Sequence, residues 1–296
     1  MNYARASFND DPGTLPRMPA WVTSGRTETP EDVAFLSGAA LAHLHVVLAG
    51  EEVPQALLRE RLALRAAEVC VTFAGRPERA GELRDAVQFL QPGDNPGPAG
   101  EIYLFWRRAV ERPMSVKALH RAIPTLNPEQ IAIWLDAGQG APIPRAVAVL
   151  TAVLDERPRD DTTALLLADA VLAQSLGWSH AMPIFALALK RRDLRKSREE
   201  VRFACHRAVT AAAVEAAREA VELARRVARL RAVAPKLRAK GSVEAVALFL
   251  ARDAVAPTSL SSLRSDRAAR RFCDRLVELG AVRELTGRDT FRLYGL

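Results

Sequence analysis

Aromatic residues are scarce in this chain of 296 residues, at 6%. Cysteine is scarcer: Cys70, Cys205 and Cys273 form an odd, scattered set with no CxxC. That excludes a disulfide framework and a zinc ribbon, and fits buried thiols in a reducing, cytoplasmic setting. The five histidines show no zinc spacing: His43 and His45 point to different sides of a helix, and Cys205-His206 has no second pair nearby. No stretch reads as long and apolar enough to span a bilayer. Even ALLLADAVLAQSLGW is interrupted by Asp169. MNYARASFNDDPGTLPRMPAW has no apolar core of the kind a secretory signal needs. QPGDNPGPAG, residues 91–100, is glycine-rich, but a helix precedes it and no Lys-Ser or Lys-Thr follows. It reads as a rigid corner, not a phosphate cradle. The expectation is therefore no catalytic set, no metal site, no cofactor and no membrane partner.

Ala, Leu, Val and Arg are abundant instead. Most of these favour helix, so the body is expected to be almost all-helical. Charge is unevenly placed: residues 1–189 sum to about −5 and residues 190–296 to about +12. A basic back half suits an anionic partner such as nucleic acid, although solubility alone explains it as well.

The chain divides into a loose arm over 1–30, with Trp21 as its anchor, a helical bundle over 31–240 and a small domain over 241–296. Helices are predicted from about 30, 54, 77, 99, 115, 127, 142, 160 and 183. Asn127-Pro128-Glu129 supplies a typical helix start. KRRDLRKSREE, 190–200, reads as a solvated connector. The longest helix, about 199–232, carries small residues at 213, 216 and 220, continued by Leu223, Val227 and Leu230. That spacing places it centrally in the bundle.

The last 56 residues carry the functional expectation. A short amphipathic helix, 242–253, is followed by TSLSSL and then by a helix capped by Ser265 and stopped by Gly280. Ala268, Ala269, Phe272, Leu276 and Leu279 form its apolar face. Beyond it, two strands flank Thr286-Gly287-Arg288-Asp289, with Phe291 and Leu293 on one side and Arg292 and Tyr294 on the other. Three helices and a hairpin in this order define a winged helix-turn-helix with a two-stranded wing. Its outward face would carry Arg267 and Arg270, with Arg271 at the flank, Arg264 before the helix and Arg288 at the wing tip. These five are the candidate nucleic-acid-binding residues. An i,i+4 pair of Arg270 with Asp274 is the purely structural explanation for that pair.

VAPKLRAKG, the closing SDRAARRFCDRLVELGAVRELTGRDTFRLYGL, QPGDNPGPAG and LADAVLAQSLGW together resemble a bacterial family, domain of unknown function number 1403, from about residue 36 to the end. The resemblance implies no particular activity. A weaker likeness is to Fic-type proteins, which pair a helical body with a C-terminal winged helix. Their loop HPFxDGNGR corresponds to RPRDDTTAL, 157–165. Pro158 and Asp161 match, Arg157 takes the place of the histidine base, and Thr162, Thr163 and Ala164 replace Gly-Asn-Gly. That copy would lack both a base and an anion hole and be a pseudoenzyme. The expected function is DNA binding or regulation, with double-stranded DNA as the partner. The alternative is an adaptor whose winged helix binds a protein.

Overall fold

The computed structural model describes residues 15–24, 29–91, 93–237, 239–288 and 290–296. Much of the expected arm, 1–14 and 25–28, lies outside the described residues, as do Pro92, Arg238 and, from the expected wing tip, Asp289. The protein is mainly helical. In chain order its helices are α1 (Ala20–Ser24), α2 (Pro30–Leu48), α3 (Gln55–Phe73), α4 (Ala80–Gln88), α5 (Gly97–Glu111), α6 (Val116–Ala122), α7 (Pro128–Leu135), α8 (Pro142–Glu156), α9 (Asp161–Ser175), α10 (Phe185–Ala188), α11 (Arg198–Val233), α12 (Ser242–Ala251) and α13 (Asp266–Glu278). The strands β1 (Arg283–Glu284) and β2 (Tyr294–Gly295) form a two-stranded antiparallel sheet.

Local chemistry accounts for the helix starts. Thr29 and Asp32 form a reciprocal capping box at α2, the Asn127 side chain accepts from the Glu129 N–H at α7, and Asp160 accepts from the Thr163 N–H at α9. The central helix α11 buries Ala213, Ala216, Ala220, Leu223, Val227 and Leu230, and packs most extensively on α2. Small residues along one stripe let the two backbones approach closely.

Several expectations need correction. The α2 helix is long and apolar enough, by length and composition, to cross a membrane, because after Asp32 no Asp, Glu, Lys or Arg follows until its end. In this fold 44% of that window is buried against the body. At the N-terminus the buried anchor is Val22. Trp21 is half exposed and stacks on Phe35 with centroids 5.5 Å apart. The 190–200 segment is not simply solvated: residues 191–195 form a 3-10 turn, and Arg191 and Arg195 reach the buried carboxylate of Asp161. TSLSSL forms only a 3-10 turn over Pro257–Ser259. The expected alternation in the last strand fails as well. Phe291 has a φ of 56° and is exposed, whereas Leu293 and Tyr294 are both buried. A left-handed turn at Phe291 swings its ring away from Leu293, and β2 is too short for period-two alternation to be established.

One hydrophobic cluster runs from Val22 through the helical body to Phe249, Phe272, Tyr294 and Leu296. Residues on both sides of the expected 240/241 boundary contribute to it. At that boundary Gly241 has a φ of 86°, and an added Cβ would fall 2.1 Å from the Ser262 carbonyl oxygen, so only glycine fits. Ser262 Oγ also donates to the Gly241 carbonyl at 2.9 Å.

Candidate nucleic-acid interface

The C-terminal segment is joined to the body through buried ions. Arg61 of α3 donates to Asp253 (2.8 Å), to Glu219 of α11 (3.1 Å) and to the Leu296 carbonyl (2.9 Å). Arg84 of α4 takes the other Asp253 oxygen at 2.6 Å. Glu60 accepts from Arg107 at 3.0 Å, from Arg252, and from the Asp253 backbone N–H at 3.0 Å. Burial alone would raise the Asp253 carboxyl, but Arg84 and Arg61 more than offset it and hold it below the ordinary carboxylate range. These residues position the tail and are consumed in doing so.

The tail itself is built on α13. Ser265 Oγ accepts from the Ala268 N–H at 3.3 Å, and Asp266 sits in the first turn, where the helix dipole favours it. Ala269, Phe272, Cys273 and Leu276 are buried, so Cys273 joins the inward face, whereas the expected Ala268 and Leu279 are only half-buried. Burial pushes the Cys273 thiol up to about 12, which makes it inert. Gly280 ends the helix with a φ of 63°, and an added Cβ would lie 2.6 Å from the Arg229 guanidinium of α11. A cation there suits the negative end of the α13 dipole.

Arg264, Arg267, Arg270 and Arg271 are all exposed, and among the described residues none makes an ion pair. The i,i+4 pair of Arg270 with Asp274 is not formed. Asp274 accepts instead from the Tyr294 hydroxyl at 3.3 Å. Arg288 is placed differently. It pairs with Asp85 of α4, and beside it Phe291 meets Phe89 edge to face with centroids 5.5 Å apart. Gln88 also donates to the Ala254 carbonyl at 3.0 Å. The segment between β1 and β2 thus contacts α4, although Arg288 and Phe291 stay largely exposed. Arg229 and Arg283 add to the basic character of this end. No motif in the sequence marked them.

In the segment 157–165 the side chains of Arg157, Asp160 and Asp161 are committed. Arg157 binds Asp160 at 2.8 Å, Asp160 caps α9, and Asp161 is buried between Arg191 and Arg195.

Fold and surface together define a mainly helical protein closed by a small antiparallel sheet, with one end bearing unpaired arginines. The chain belongs to the family described as protein of unknown function (DUF1403), whose model matches residues 6–296 and so reaches nearer the N-terminus than the motifs that suggested it. No curated protein matches the chain.

Proposed function

We propose that residues 241–296 form a winged helix-turn-helix that binds duplex DNA, with α13 as the helix entering the major groove. The observation that carries this reading is the set of four exposed, unpaired arginines at 264, 267, 270 and 271, in a protein whose interior arginines are closely matched by carboxylates. Guanidinium forks are suited to phosphate and to the guanine edge. The strand arrangement supports it. Val255, between α12 and α13, bridges to Tyr294 through two backbone hydrogen bonds of 2.8 and 2.9 Å, so the chain order is helix, bridge, turn, helix, strand, strand. DNA binding would place the protein in the cytoplasm, and the helical body is read as non-catalytic.

Fluorescence anisotropy with a mixed-sequence duplex tests the reading. Arg267→Ala with Arg271→Ala should weaken binding by roughly 1–3 kcal/mol for each lost specific contact, with an unchanged circular dichroism spectrum. A double variant that binds like the wild type would break the assignment of these residues. A wild type that binds no duplex at low salt favours the adaptor reading. That second reading draws on exposed apolar residues of the same segment, Val243 at 77% and Phe291 at 69%.

A further inference from the structure

The charge of α11 changes character along its length. Up to Glu222, Arg198, Arg202, Arg207 and Arg218 stand beside five glutamates. From Leu223 to Val243 the chain carries seven Lys or Arg and no Asp or Glu. A solvated helix ordinarily intersperses the two signs, because opposite charges at i,i+4 stabilise it and like charges do not. Arg225 and Arg229 are a like-charged i,i+4 pair. The helix dipole favours a cation in the last turn, which accounts for Arg231, but it does not extend to Arg225 and Arg226 two turns back.

Arg225, Arg229, Arg231 and Lys236 are all exposed. Glu222 is taken by Arg226 at 2.8 Å and lies 4.0 Å from Arg225, and Glu219 is drawn inward to Arg61. Arg229, Arg231 and Lys236 make no ion pair among the described residues. Arg218, Arg225 and Arg231 also line a groove of about 670 Å³, where the other charged residues are Arg17, Glu52 and Glu222, so four cations face two carboxylates. The basic face continues toward the tail. Arg229 reaches the Gly280 turn that ends α13, and three residues further on Arg283 is exposed and unpaired. Partial burial, then the Arg226, Arg61 and Arg84 guanidinium groups, lower the Arg283 pKa, with Asp253 opposing them. Arg226 and Arg283 therefore share one positive field across the junction of body and tail.

We propose that the C-terminal half of α11, with Arg283 beside it, binds the phosphate backbone of duplex DNA outside the stretch read by α13. The proposal rests on the duplex-binding reading of the tail. Guanidinium forks match phosphate oxygens, and contacts of this kind position a protein without reading sequence. Arg218 to Arg231 spans about 20 Å of helix, the length of about six base pairs. The exposed residues between the cations are Ala228 and Ala232. Side chains that small let a sugar-phosphate backbone approach closely, whereas a membrane-surface helix would present Trp, Phe or Leu there.

The test is anisotropy of the full chain on mixed-sequence duplexes of about 30 and about 12 base pairs, the shorter one leaving little DNA beyond a single recognition helix. Arg225→Ala, Arg231→Ala and Lys236→Ala together leave the Arg226–Glu222 pair and the Arg229 contact in place. On the long duplex this triple variant should bind about tenfold or more weakly, with a salt slope reduced by about three. On the short duplex it should bind like the wild type, with an unchanged circular dichroism spectrum. Arg225→Lys with Arg231→Lys should keep the full slope, since a phosphate contact needs only the charge. An unchanged slope in the triple variant would overturn the proposal, and would leave the α13 reading standing if Arg267→Ala with Arg271→Ala still weakens binding. A loss confined to the triple variant would sink the α13 assignment and support the α11 face. Equal loss on both duplexes would overturn the flanking placement. So would binding to phosphatidylserine vesicles that the triple variant abolishes, because the face would then belong to a membrane surface.

Discussion

Arg61 and Arg84 belong to one population of arginines, and Arg267 and Arg271 to another. The first pair lies inside the junction of body and tail, each guanidinium facing a carboxylate that is itself buried. The second lies on an exposed helix face and, among the described residues, faces none. The contrast separates two uses of one side chain. A desolvated guanidinium must be matched within the fold, because an unpaired buried charge costs several kcal/mol. An exposed one carries no such obligation, so the fold gives no internal reason for four in eight residues.

Breaking the interior set should have the largest effect. Asp253→Ala leaves Arg61 and Arg84 buried without their shared carboxylate. We expect a loss of about 3–5 kcal/mol in urea denaturation. The pH dependence has a definite sign. Asp253 is held below its ordinary value, so its contribution is present above about pH 4 and disappears as pH falls through the lower folded value. Asp253→Asn should therefore be destabilised at pH 7 and show a weaker acid-induced loss than the wild type. By contrast, Arg267→Ala with Arg271→Ala should leave stability within about 0.5 kcal/mol. Under the proposed function its effect falls on duplex binding.

A smaller effect should come from the segment between β1 and β2, where an arginine expected to be free is held. Asp85→Ala releases Arg288 at a stability cost under about 1 kcal/mol, because the arginine is half exposed. If the freed guanidinium then reaches a phosphate, duplex affinity should rise at low salt and the salt slope should steepen by about one contact. Unchanged affinity and slope would show that Asp85 does not compete with DNA for Arg288.

The ease of reading these regions from sequence follows from the range of their interactions. Ser265 as cap, Gly280 as stop, the Ala-rich stripe of α11 and the exposure of Arg267 and Arg270 are set by neighbours within a turn or two, so periodicity and caps reveal them. The Glu60–Arg252 and Arg61–Asp253 contacts join residues 192 apart, and Arg288–Asp85 joins residues 203 apart. Nothing local in the sequence announces which partner such a residue will meet. That is why Arg288 reads as free and Asp253 reads as an ordinary acid at a helix end. Asp274 is intermediate. Its helical neighbour Arg270 was in reach, but the Tyr294 hydroxyl, brought in by the sheet, took the carboxylate instead.

A buried aspartate without an arginine completes the comparison and predicts the smallest effect. Asp169 is fully buried, and its carboxylate accepts from the backbone N–H groups of Ile184, Phe185 and Ala186 at 2.9, 2.7 and 3.3 Å. Burial dominates over those three donors and pushes its pKa up to about 8. That shift is opposite to that of Asp253, which has comparable burial but two guanidinium partners. The sign of the linkage reverses with it. The folded state holds the Asp169 proton longer than the unfolded chain does, so stability falls as pH rises from about 4, the ordinary carboxylate value, to about 8. His43, His180 and His206, all lowered chiefly by burial, act in the opposite sense near pH 6 and partly mask it. Only the difference between wild type and variant isolates the aspartate. Asp169→Asn keeps one carbonyl acceptor for the α10 amides, so at pH 5 it should cost about 1 kcal/mol or less. Its deficit should shrink, or turn into a gain, as pH approaches 8, measured as the difference in thermal midpoint across the series. A deficit that is constant with pH would mean that Asp169 does not titrate in this window, and that the backbone donors, not desolvation, set its protonation.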